Sequence, residues 1–321
     1  MTKVVTVFGG SGFVGRYAVR GLARAGWRIR VGVRRPNLAN FLLPMGHVGQ
    51  IQIVKADVAD TDSVARAMKG AAAAINLVGI LYESGRQRFQ RVHAESAGIV
   101  ANAARREGVA ALAHMSALGA SSQSESLYAR SKSDGEARVR DAYPDAAILR
   151  PSIVFGPEDD FFNRFAALAR LLPALPLIGG GRTRFQPVYV GNVASALAAC
   201  VAASSTRGKI YELGGPRIYT FRELMQLVLA ETRRRRMLVA LPWSVAMLQA
   251  RILELMPKPM LTRDQVLLLK QDNVVTPGAL GLSDFGIDAE TVEAVIPTYL
   301  WRFRREGQFE EPPRHPVSAP R

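Results

Sequence analysis

Residues 128–136 read YARSKSDGE, in which Tyr128 stands four positions before Lys132. On a helix these two side chains share one face, so both can reach the same reacting group. A lysine ammonium beside a tyrosine favours the phenolate that remains after proton donation, which suits the tyrosine to general acid catalysis. The spacing therefore predicts either a working acid–base pair or a clamp for a cofactor that is bound without turnover.

A glycine-rich segment, GGSGFVGR, begins directly after the apolar run VVTVF at residues 4–8. Gly9, Gly12 and Gly15 have the spacing with which dinucleotide-binding domains form a tight turn, approach the pyrophosphate and pack a helix on the sheet. The N-terminus of that helix would face the anion. A bare strand-to-helix turn is the alternative, but the position at the first strand–helix junction favours cofactor binding.

The residues after the second predicted strand, VGVRRP, indicate which dinucleotide is preferred. An NAD site usually has an acidic residue here for the ribose 2′-hydroxyl, whereas this chain has Arg34 and Arg35. A guanidinium can pair bidentately with a 2′-phosphate, and Arg16 could add a contact, although one of the three could be a solvated surface residue. We expect NADP(H) in preference to NAD(H), with Asp57, after the third strand, receiving the adenine amine.

Short β-branched runs alternate with helical segments through the first 150 residues, which predicts a parallel sheet covered by helices on both faces. The predicted strands are 4–8, 28–33, 51–55, 73–78, 112–116 and 146–150. The expected fold class is α/β, a doubly wound parallel sheet with a smaller mixed α/β C-terminal domain. The expected domains are a dinucleotide-binding domain at 1–155, a substrate or docking domain at 156–306, interleaved with the sheet, and a disordered Pro-rich tail at 307–321.

Cysteine, histidine and hydropathy patterns argue against several kinds of protein. The single cysteine, Cys200, lies in the apolar run ASALAACVAA and is expected to be a buried structural thiol in a reducing compartment. The four histidines are scattered without cysteine or carboxylate at ligand spacing, so no metal site is expected. The N-terminus runs straight into a strand, and no window holds the ~18 apolar residues of a membrane span.

The formal net charge is +15, and residues 1–150 hold 21 Lys and Arg against 11 Asp and Glu. Such an excess favours an anionic partner, which can be a phosphate group, an acidic protein surface or an anionic membrane. The basic residues are spread over many helices and are not interleaved with aromatic residues, so a nucleic-acid partner is not expected.

Five segments in this order, GGSGFVG, DV at 57–58, NLVG at 76–79, YARSK and LRPSIVFGP, resemble the short-chain dehydrogenase/reductase superfamily, and most closely its extended and atypical branches. The resemblance implies a Rossmann fold in which Tyr128 is the acid/base, while Lys132 binds the nicotinamide ribose and lowers the tyrosine pKa. The cofactor-binding residues that it implies are Gly9, Gly12, Phe13, Val14, Gly15, Arg16, Arg34, Arg35, Asp57, Val58, Leu77, Val78, Gly79, Tyr128, Lys132, Pro151 and Ile153.

The chain departs from the active pattern of this superfamily near the fifth strand. Active members generally have a Ser or Thr there that holds the substrate oxygen. In HMSALGASS, Ser116 is present but Ala117 stands where a second Ser is common, and His93 takes the helix position that often carries an Asn. Hydride transfer needs its groups held within a fraction of an ångström. Ser116 is a third candidate catalytic residue, which Ser121 or Ser122 could replace only if the loop folds back. A protein that only stores the cofactor would also keep Tyr128 and Lys132.

Four segments of the second half, FGPEDDFFNRFA, RFQPVYVGNVASAL, LTRDQV and LSDFGI, are similar to the NADPH-binding accessory subunit of mitochondrial respiratory complex I and its bacterial relatives. That resemblance implies a structural or assembly role beside NADH:quinone oxidoreductase subunits, with a tightly held dinucleotide that is not known to turn over. Related members are linked to quinone biosynthesis. The main alternative is an active NADPH-dependent oxidoreductase or epimerase/dehydratase on an apolar substrate such as a quinone precursor, and a weaker one is a redox sensor.

Residues 231–260 place Arg233 to Arg236 before an apolar segment that is predicted to be a helix from Pro242 to about Met256. Its apolar residues repeat at i, i+3 and i+4, and Leu248, Ile252 and Leu255 widen the apolar face beyond a core stripe. Core packing of the small domain is one explanation, and binding to an anionic membrane surface is the other. We expect a cytoplasmic protein that is peripheral on the inner face of the cytoplasmic membrane.

Overall fold

The computed structural model describes residues 3–305 and residue 307. The tail predicted at 307–321 therefore lies outside the described residues, apart from its first position. The described strands are β1 (Val4–Phe8), β2 (Arg28–Val33), β3 (Ile51–Lys55), β4 (Ala73–Asn76), β5 (Ala111–Met115), β6 (Ala147–Pro151), β7 (Val154–Phe155), β8 (Ala174–Ile178), β9 (Arg184–Phe185), β10 (Val188–Tyr189), β11 (Ile210–Leu213), β12 (Tyr219–Thr220) and β13 (Met237–Leu241).

The α-helices lie between these strands or follow them. They are α1 (Phe13–Arg24), α2 (Thr61–Met68), α3 (Ser96–Arg106), α4 (Leu127–Ala142), α5 (Phe161–Leu171), α6 (Val190–Ala202), α7 (Phe221–Glu231), α8 (Trp243–Leu253), α9 (Arg263–Leu268), α10 (Val292–Val295) and α11 (Pro297–Leu300). A 3-10 helix covers Pro36–Met45, and a π-helical turn at Gln90–Glu95 leads into α3.

Seven strands form the central sheet in the order β11–β6–β5–β4–β1–β2–β3, and every pairing in it is parallel. The chain order reverses at β1, which pairs with β2 on one side and with β4 on the other. Ligands of doubly wound sheets bind at such a switch point, beyond the carboxyl ends of the strands. The topology therefore places the loops after β1 and β4 side by side, where Phe8 is in register with Asn76.

Two apolar cores cover the two faces of this sheet because alternate residues of each strand point to opposite sides. Val5 and Val7 pack with residues of α1 and α6 on one face, whereas Phe8 and Ala74 pack with α2, α3 and α4 on the other. The doubly wound α/β class is thus confirmed. Cys200 lies in the first of these cores, and burial raises the pKa of its thiol to about 12, as expected of a structural cysteine.

The six predicted strands are all present: β1, β2 and β3 have the predicted ends, and the ends of β4, β5 and β6 differ by one or two residues. β4 ends two residues earlier than predicted, so that Leu77 and Val78 belong to the loop that follows it. β11 comes from the second half of the chain and pairs with β6. The domain boundary at residue 155 stays a prediction.

The second half contains a separate aromatic core, in which Phe155, Phe162, Phe185 and Phe221 are buried. A two-stranded parallel pair of β8 and β13 lies outside the central sheet and was not predicted. A helix was predicted from Pro242 to about Met256, whereas α8 spans Trp243–Leu253 and is therefore shorter than predicted.

Candidate active site and dinucleotide cradle

The glycine loop makes a tight turn between β1 and α1. Gly9 has φ +79°, in the left-handed region that favours glycine, and its carbonyl accepts the Gly12 N–H at 3.0 Å. Gly12 is the N-cap of α1 and has no side chain to bond the first N–H groups of the helix. A Cβ at Gly15 would lie 2.3 Å from the Gly9 oxygen. The turn therefore depends on glycine and leaves the helix N-terminus open to an anion.

The loop after β4 lies against this turn. A Cβ at Gly9 would be 3.1 Å from the carbonyl carbon of Leu77 and 3.2 Å from the nitrogen of Val78, and a Cβ at Gly79 would be 3.4 Å from Lys132 Nζ. The structure thus brings the glycine loop, the NLVG segment and α4 together at the carboxyl edge of the sheet. This cradle fits a dinucleotide, and a nicotinamide dinucleotide bound there would supply hydride-transfer chemistry.

Tyr128 and Lys132 lie one turn apart on α4, with Lys132 Nζ 5.9 Å from the centroid of the tyrosine ring. The ring of Tyr128 packs edge-on against Phe89 and His93, at centroid distances of 5.7 and 5.2 Å. Burial, and then the Asp264 carboxylate, raises the pKa of Tyr128 to about 12. The implied lowering of this pKa by Lys132 is therefore not found in the protein alone, because the loss of hydration dominates.

Lys132 is buried, and its Nζ donates a hydrogen bond to the Met115 carbonyl at 3.2 Å. Burial lowers the pKa of Lys132 to about 8, against the opposing attraction of Glu136. Glu136 in turn accepts two hydrogen bonds, of 2.8 and 2.6 Å, from the guanidinium of Arg150 on β6. This bidentate pair holds the middle of α4 on the sheet and so fixes the position of the lysine.

Ser116 and His114, on the segment that Lys132 contacts, each have one buried polar atom without a hydrogen-bond partner. Among the described residues, Ser116 Oγ and His114 Nε2 are the buried side-chain nitrogen and oxygen atoms that make no hydrogen bond. Burial and Lys132 lower the pKa of His114 to about 3. An unpaired buried polar group costs about 1–3 kcal/mol, so the two atoms mark a place where a bound group can form the missing bonds.

The three arginines predicted to contact the cofactor differ in their surroundings. Arg34 and Arg35 directly follow β2 and are exposed. Arg16 is engaged within the protein, because its Nη1 lies 3.4 Å from a Glu158 carboxylate oxygen and its guanidinium lies over the Phe41 ring at 5.1 Å. A 2′-phosphate contact from Arg16 would therefore compete with Glu158.

Asp57 and Val58 follow β3 as predicted. The Asp57 carboxylate accepts the Ala59 N–H at 3.0 Å and remains exposed, while Val58 packs against the core of that face. The adenine contact that we predict for Asp57 is compatible with this position.

The other predicted contacts lie at the start of α1 and at the end of β6. Phe13 packs edge-on against Tyr17, and Val14 packs against the core. Pro151 ends β6, and the Ile153 carbonyl accepts the Val188 N–H at 2.9 Å. Their roles in binding the cofactor stay predictions.

The sequence reasoning missed Asp264, which caps the N-terminus of α4. Its carboxylate accepts the Leu127 N–H at 2.6 Å, the Ser126 hydroxyl at 2.8 Å and the Tyr128 N–H at 3.3 Å. The LTRDQV segment contains a local capping pattern for α9 through Thr262, but no local signal shows a cap on a helix 136 residues earlier.

Asn76 was also missed, although it gave a signal. It ends a strand whose four residues are all buried, and its side-chain oxygen accepts the Val78 N–H at 3.1 Å. A buried amide at the carboxyl end of a strand indicates that it forms hydrogen bonds needed at that edge of the sheet. In the described part of the chain, no three His, Cys, Asp or Glu side chains cluster as metal ligands would, and no helix could cross a membrane.

Comparisons with known proteins show which family and fold the chain resembles. The model of the NAD dependent epimerase/dehydratase family matches residues 5–214. Subunit 9 of the NADH dehydrogenase [ubiquinone] 1 alpha subcomplex from Arabidopsis thaliana is 35% identical over 316 residues, which cover 95% of this chain and 79% of that protein. A ceramide reductase from Caulobacter vibrioides is 36% identical over 196 residues, covering 61% of this chain and 60% of that one.

The structure of an NADPH-dependent quinone oxidoreductase from Escherichia coli, complexed with NADPH, superposes with a TM-score of 0.70. It is 22% identical in sequence, and the match covers 89% of this chain and 96% of that chain. At this level of identity the likeness shows the fold.

Proposed function

The chain belongs to the NAD dependent epimerase/dehydratase family, and on that premise we propose that it is an NADP(H)-binding peripheral accessory or assembly component of a membrane NADH:quinone oxidoreductase or of its quinone supply. The similarity to subunit 9 of the plant enzyme extends over almost the whole chain and supports this role. The family and the glycine cradle support a bound dinucleotide.

The preference for NADP(H) is supported by the end of β2. Arg34 and Arg35 are exposed there, and the first acidic residue of the chain is Asp57. A guanidinium pairs with a 2′-phosphate, whereas the carboxylate that usually binds the 2′-hydroxyl of NAD is missing from this position.

The observation that carries the docking role is a set of exposed apolar side chains on β13, on α8 and in the segment that follows α8. Eight large apolar side chains between residues 237 and 260 are at least 41% exposed; we call this set the α8–β13 face. Its members are Met237, Val239, Val245, Leu248, Ile252, Leu255, Met256 and Met260. Only Ala246 and Ala250 of α8 are fully buried, so core packing explains the inner side of the helix but not this face.

Basic residues lie beside the α8–β13 face. Arg233 and Arg235 are exposed directly before β13, and Arg236 is held in place by donating to the Ala169 carbonyl at 2.9 Å. An apolar face with adjacent arginines complements an anionic bilayer, to which each basic residue near the surface contributes about 1 kcal/mol. The protein, bound at the membrane surface, would contact the subunits of the oxidoreductase from there.

Cofactor storage without turnover is supported by the burial of Tyr128 and by the Asp264 carboxylate at the start of its helix, both of which oppose formation of a phenolate. The pKa of Tyr128 is raised to about 12, and Asp264 adds negative charge near the residue that would have to become a phenolate. The second candidate function is an NADPH-dependent reductase on an apolar substrate. It is supported by the unpaired Ser116 Oγ, which follows the Met115 carbonyl that Lys132 contacts, and by the similarity to a ceramide reductase.

A membrane-binding experiment tests the docking role. The tagged protein is produced in cells of its source organism, and membranes are separated from the soluble fraction at moderate salt. We expect the wild type on the membranes and a Leu248→Glu/Ile252→Glu double variant in the soluble fraction, because both side chains are 61% exposed and the change does not touch the core. The matched control is Ile218→Glu, at another exposed apolar position. Equal membrane binding of the wild type and the double variant would contradict the proposal.

A further inference from the structure

Asp264 links α9 to the helix that carries Tyr128. Its two carboxylate oxygens accept from Leu127 N–H, Ser126 Oγ–H and Tyr128 N–H, at 2.6, 2.8 and 3.3 Å. The first N–H groups of a helix have no partner within the helix, and a carboxylate there also complements the helix dipole. The position of the Tyr128 end of α4 therefore depends on where α9 lies.

The same short helix is fastened to α8. Glu254, the C-cap of α8, accepts the backbone N–H of Arg263 at 2.7 Å and its Nε at 2.8 Å. Val266 of α9 is fully buried in a small core with Ala246 and Ala250, which form the inner side of α8. A chain of direct contacts thus runs from the α8–β13 face through Glu254, Arg263 and Asp264 to α4.

The other half of α4 is fixed independently. Glu136 is paired with Arg150 of β6, so the helix is held to the sheet at its middle and to α9 at its beginning. A shift of α9 would therefore change the position of Tyr128 more than the position of Glu136, because only the first turn of the helix follows Asp264.

The geometry points to Asp264 as a positioning residue that couples binding of the α8–β13 face to an anionic bilayer with binding of the dinucleotide; this rests on the function proposed above. Docking immobilises α8, and α9 with it, which holds Tyr128 in the arrangement that the nicotinamide ribose needs, beside a Lys132 that the Glu136–Arg150 pair already fixes. A preorganised site binds its ligand more tightly. By linkage, the dinucleotide must strengthen membrane binding by the same factor.

The coupling is measured by titrating the purified protein with NADPH, with and without vesicles of equimolar phosphatidylglycerol and phosphatidylcholine. For the wild type we expect vesicles to lower the Kd for NADPH by about fivefold or more, and NADPH to lower the Kd for vesicles by the same factor. Asp264→Asn and Glu254→Gln keep the shape of each side chain but weaken the two links. In both variants the Kd for NADPH without vesicles, divided by the Kd for NADPH with vesicles, falls to about one, whatever the intrinsic affinity of the variant for NADPH.

The matched control is Asp284→Asn, which changes an aspartate that caps the short 3-10 helix Leu282–Phe285 through the Gly281 N–H. It should keep the wild-type ratio. A ratio of one in the wild type, with both ligands bound, overturns the coupling and leaves the proposed function intact, and so does an unchanged ratio in Asp264→Asn and Glu254→Gln. If the wild type binds no vesicles, the docking function itself fails and the coupling fails with it.

Discussion

The Nδ1 of His93 lies 2.9 Å from the Oγ of Ser131. The Ser131 hydroxyl donates to the Tyr128 carbonyl at 2.8 Å, so its oxygen accepts a hydrogen bond from the Nδ1–H of His93. The Nε2 of the same ring accepts the Ile80 N–H at 3.0 Å. His93 is therefore a neutral imidazole with one defined tautomer, and it ties the loop after β4 to α4.

Acid is expected to destabilise the protein through two buried histidines. Burial and Lys132 lower the pKa of His93 to about 2 and that of His114 to about 3, from 6.5. Below pH 6.5 the unfolded chain takes up protons that the folded protein cannot, so stability is lost as the pH falls toward the folded pKa values. Between pH 6.5 and 5 the free energy of unfolding should fall by about 1.7 kcal/mol per histidine.

Denaturant unfolding of the wild type and of His114→Asn at pH 6.5 and pH 5 measures the sign and the size of this change in the free energy of unfolding. Asn keeps a side-chain acceptor for Asn76 but cannot be protonated, so the variant should lose about half of the histidine-dependent change. An identical pH dependence in both proteins would show that His114 is not the buried neutral group described here.

Two glycines of α1 should respond in opposite ways to the same substitution. In Gly15→Ala the new Cβ meets the Gly9 carbonyl oxygen at 2.3 Å, whereas at Gly21 nothing lies within 4 Å. We expect Gly15→Ala to abolish dinucleotide binding and to cost about 1–3 kcal/mol of stability. Gly21→Ala should keep binding and stabilise the protein by about 0.5–1 kcal/mol. Fluorescence titration with NADPH and thermal unfolding measure both effects, and loss of binding in Gly21→Ala would argue against the cradle.

Selectivity for NADP(H) should depend on the arginines after β2. A double substitution Arg34→Ala/Arg35→Ala should weaken NADPH binding by roughly 10- to 100-fold and leave NADH binding unchanged, since a hydrogen bond to a charged group contributes about 1.5–3 kcal/mol. Arg24→Ala, at an exposed arginine in the last turn of α1, is the control and should change neither affinity. If the double variant bound NADPH and NADH more weakly by the same factor, the arginines would contact the pyrophosphate and not the 2′-phosphate.

Tyr128→Phe separates storage from catalysis. A protein that stores the dinucleotide should lose less than about tenfold in NADPH affinity, because one hydrogen bond to the ribose is removed, and should still bind its membrane partner. An active reductase should lose nearly all turnover while its fold is kept. NADPH affinity, membrane association and NADPH oxidation with quinones are measured on the same preparation, and a defect in vivo without loss of binding would favour the enzyme.

Local sequence patterns were sufficient to predict the strands, the helix and the turn that position the site. The alternation of apolar runs and helices predicted the strands of the central sheet apart from small errors at their ends, and the four-residue spacing of Tyr128 and Lys132 requires only that α4 is helical. The glycine spacing predicted the turn after β1 because φ and close packing restrict those positions to glycine.

The features that were missed depend on contacts between distant parts of the chain. The pairing of β8 with β13 joins short segments about 60 residues apart, and each lacks a clear local strand pattern. The cap of Asp264 on α4 and the pairing of Glu136 with Arg150 need the tertiary structure to bring charges together. The raised pKa of Tyr128 was not predicted for the same reason, since burial is a property of the folded protein.

The most direct test of the proposed role is a tagged purification from gently solubilised native membranes at moderate salt, followed by mass spectrometry of the copurifying proteins and of any bound dinucleotide. We predict recovery of NADH:quinone oxidoreductase subunits together with NADP(H). Recovery of the protein alone, from the soluble fraction, would contradict an accessory or assembly role and would favour an NADPH-dependent enzyme.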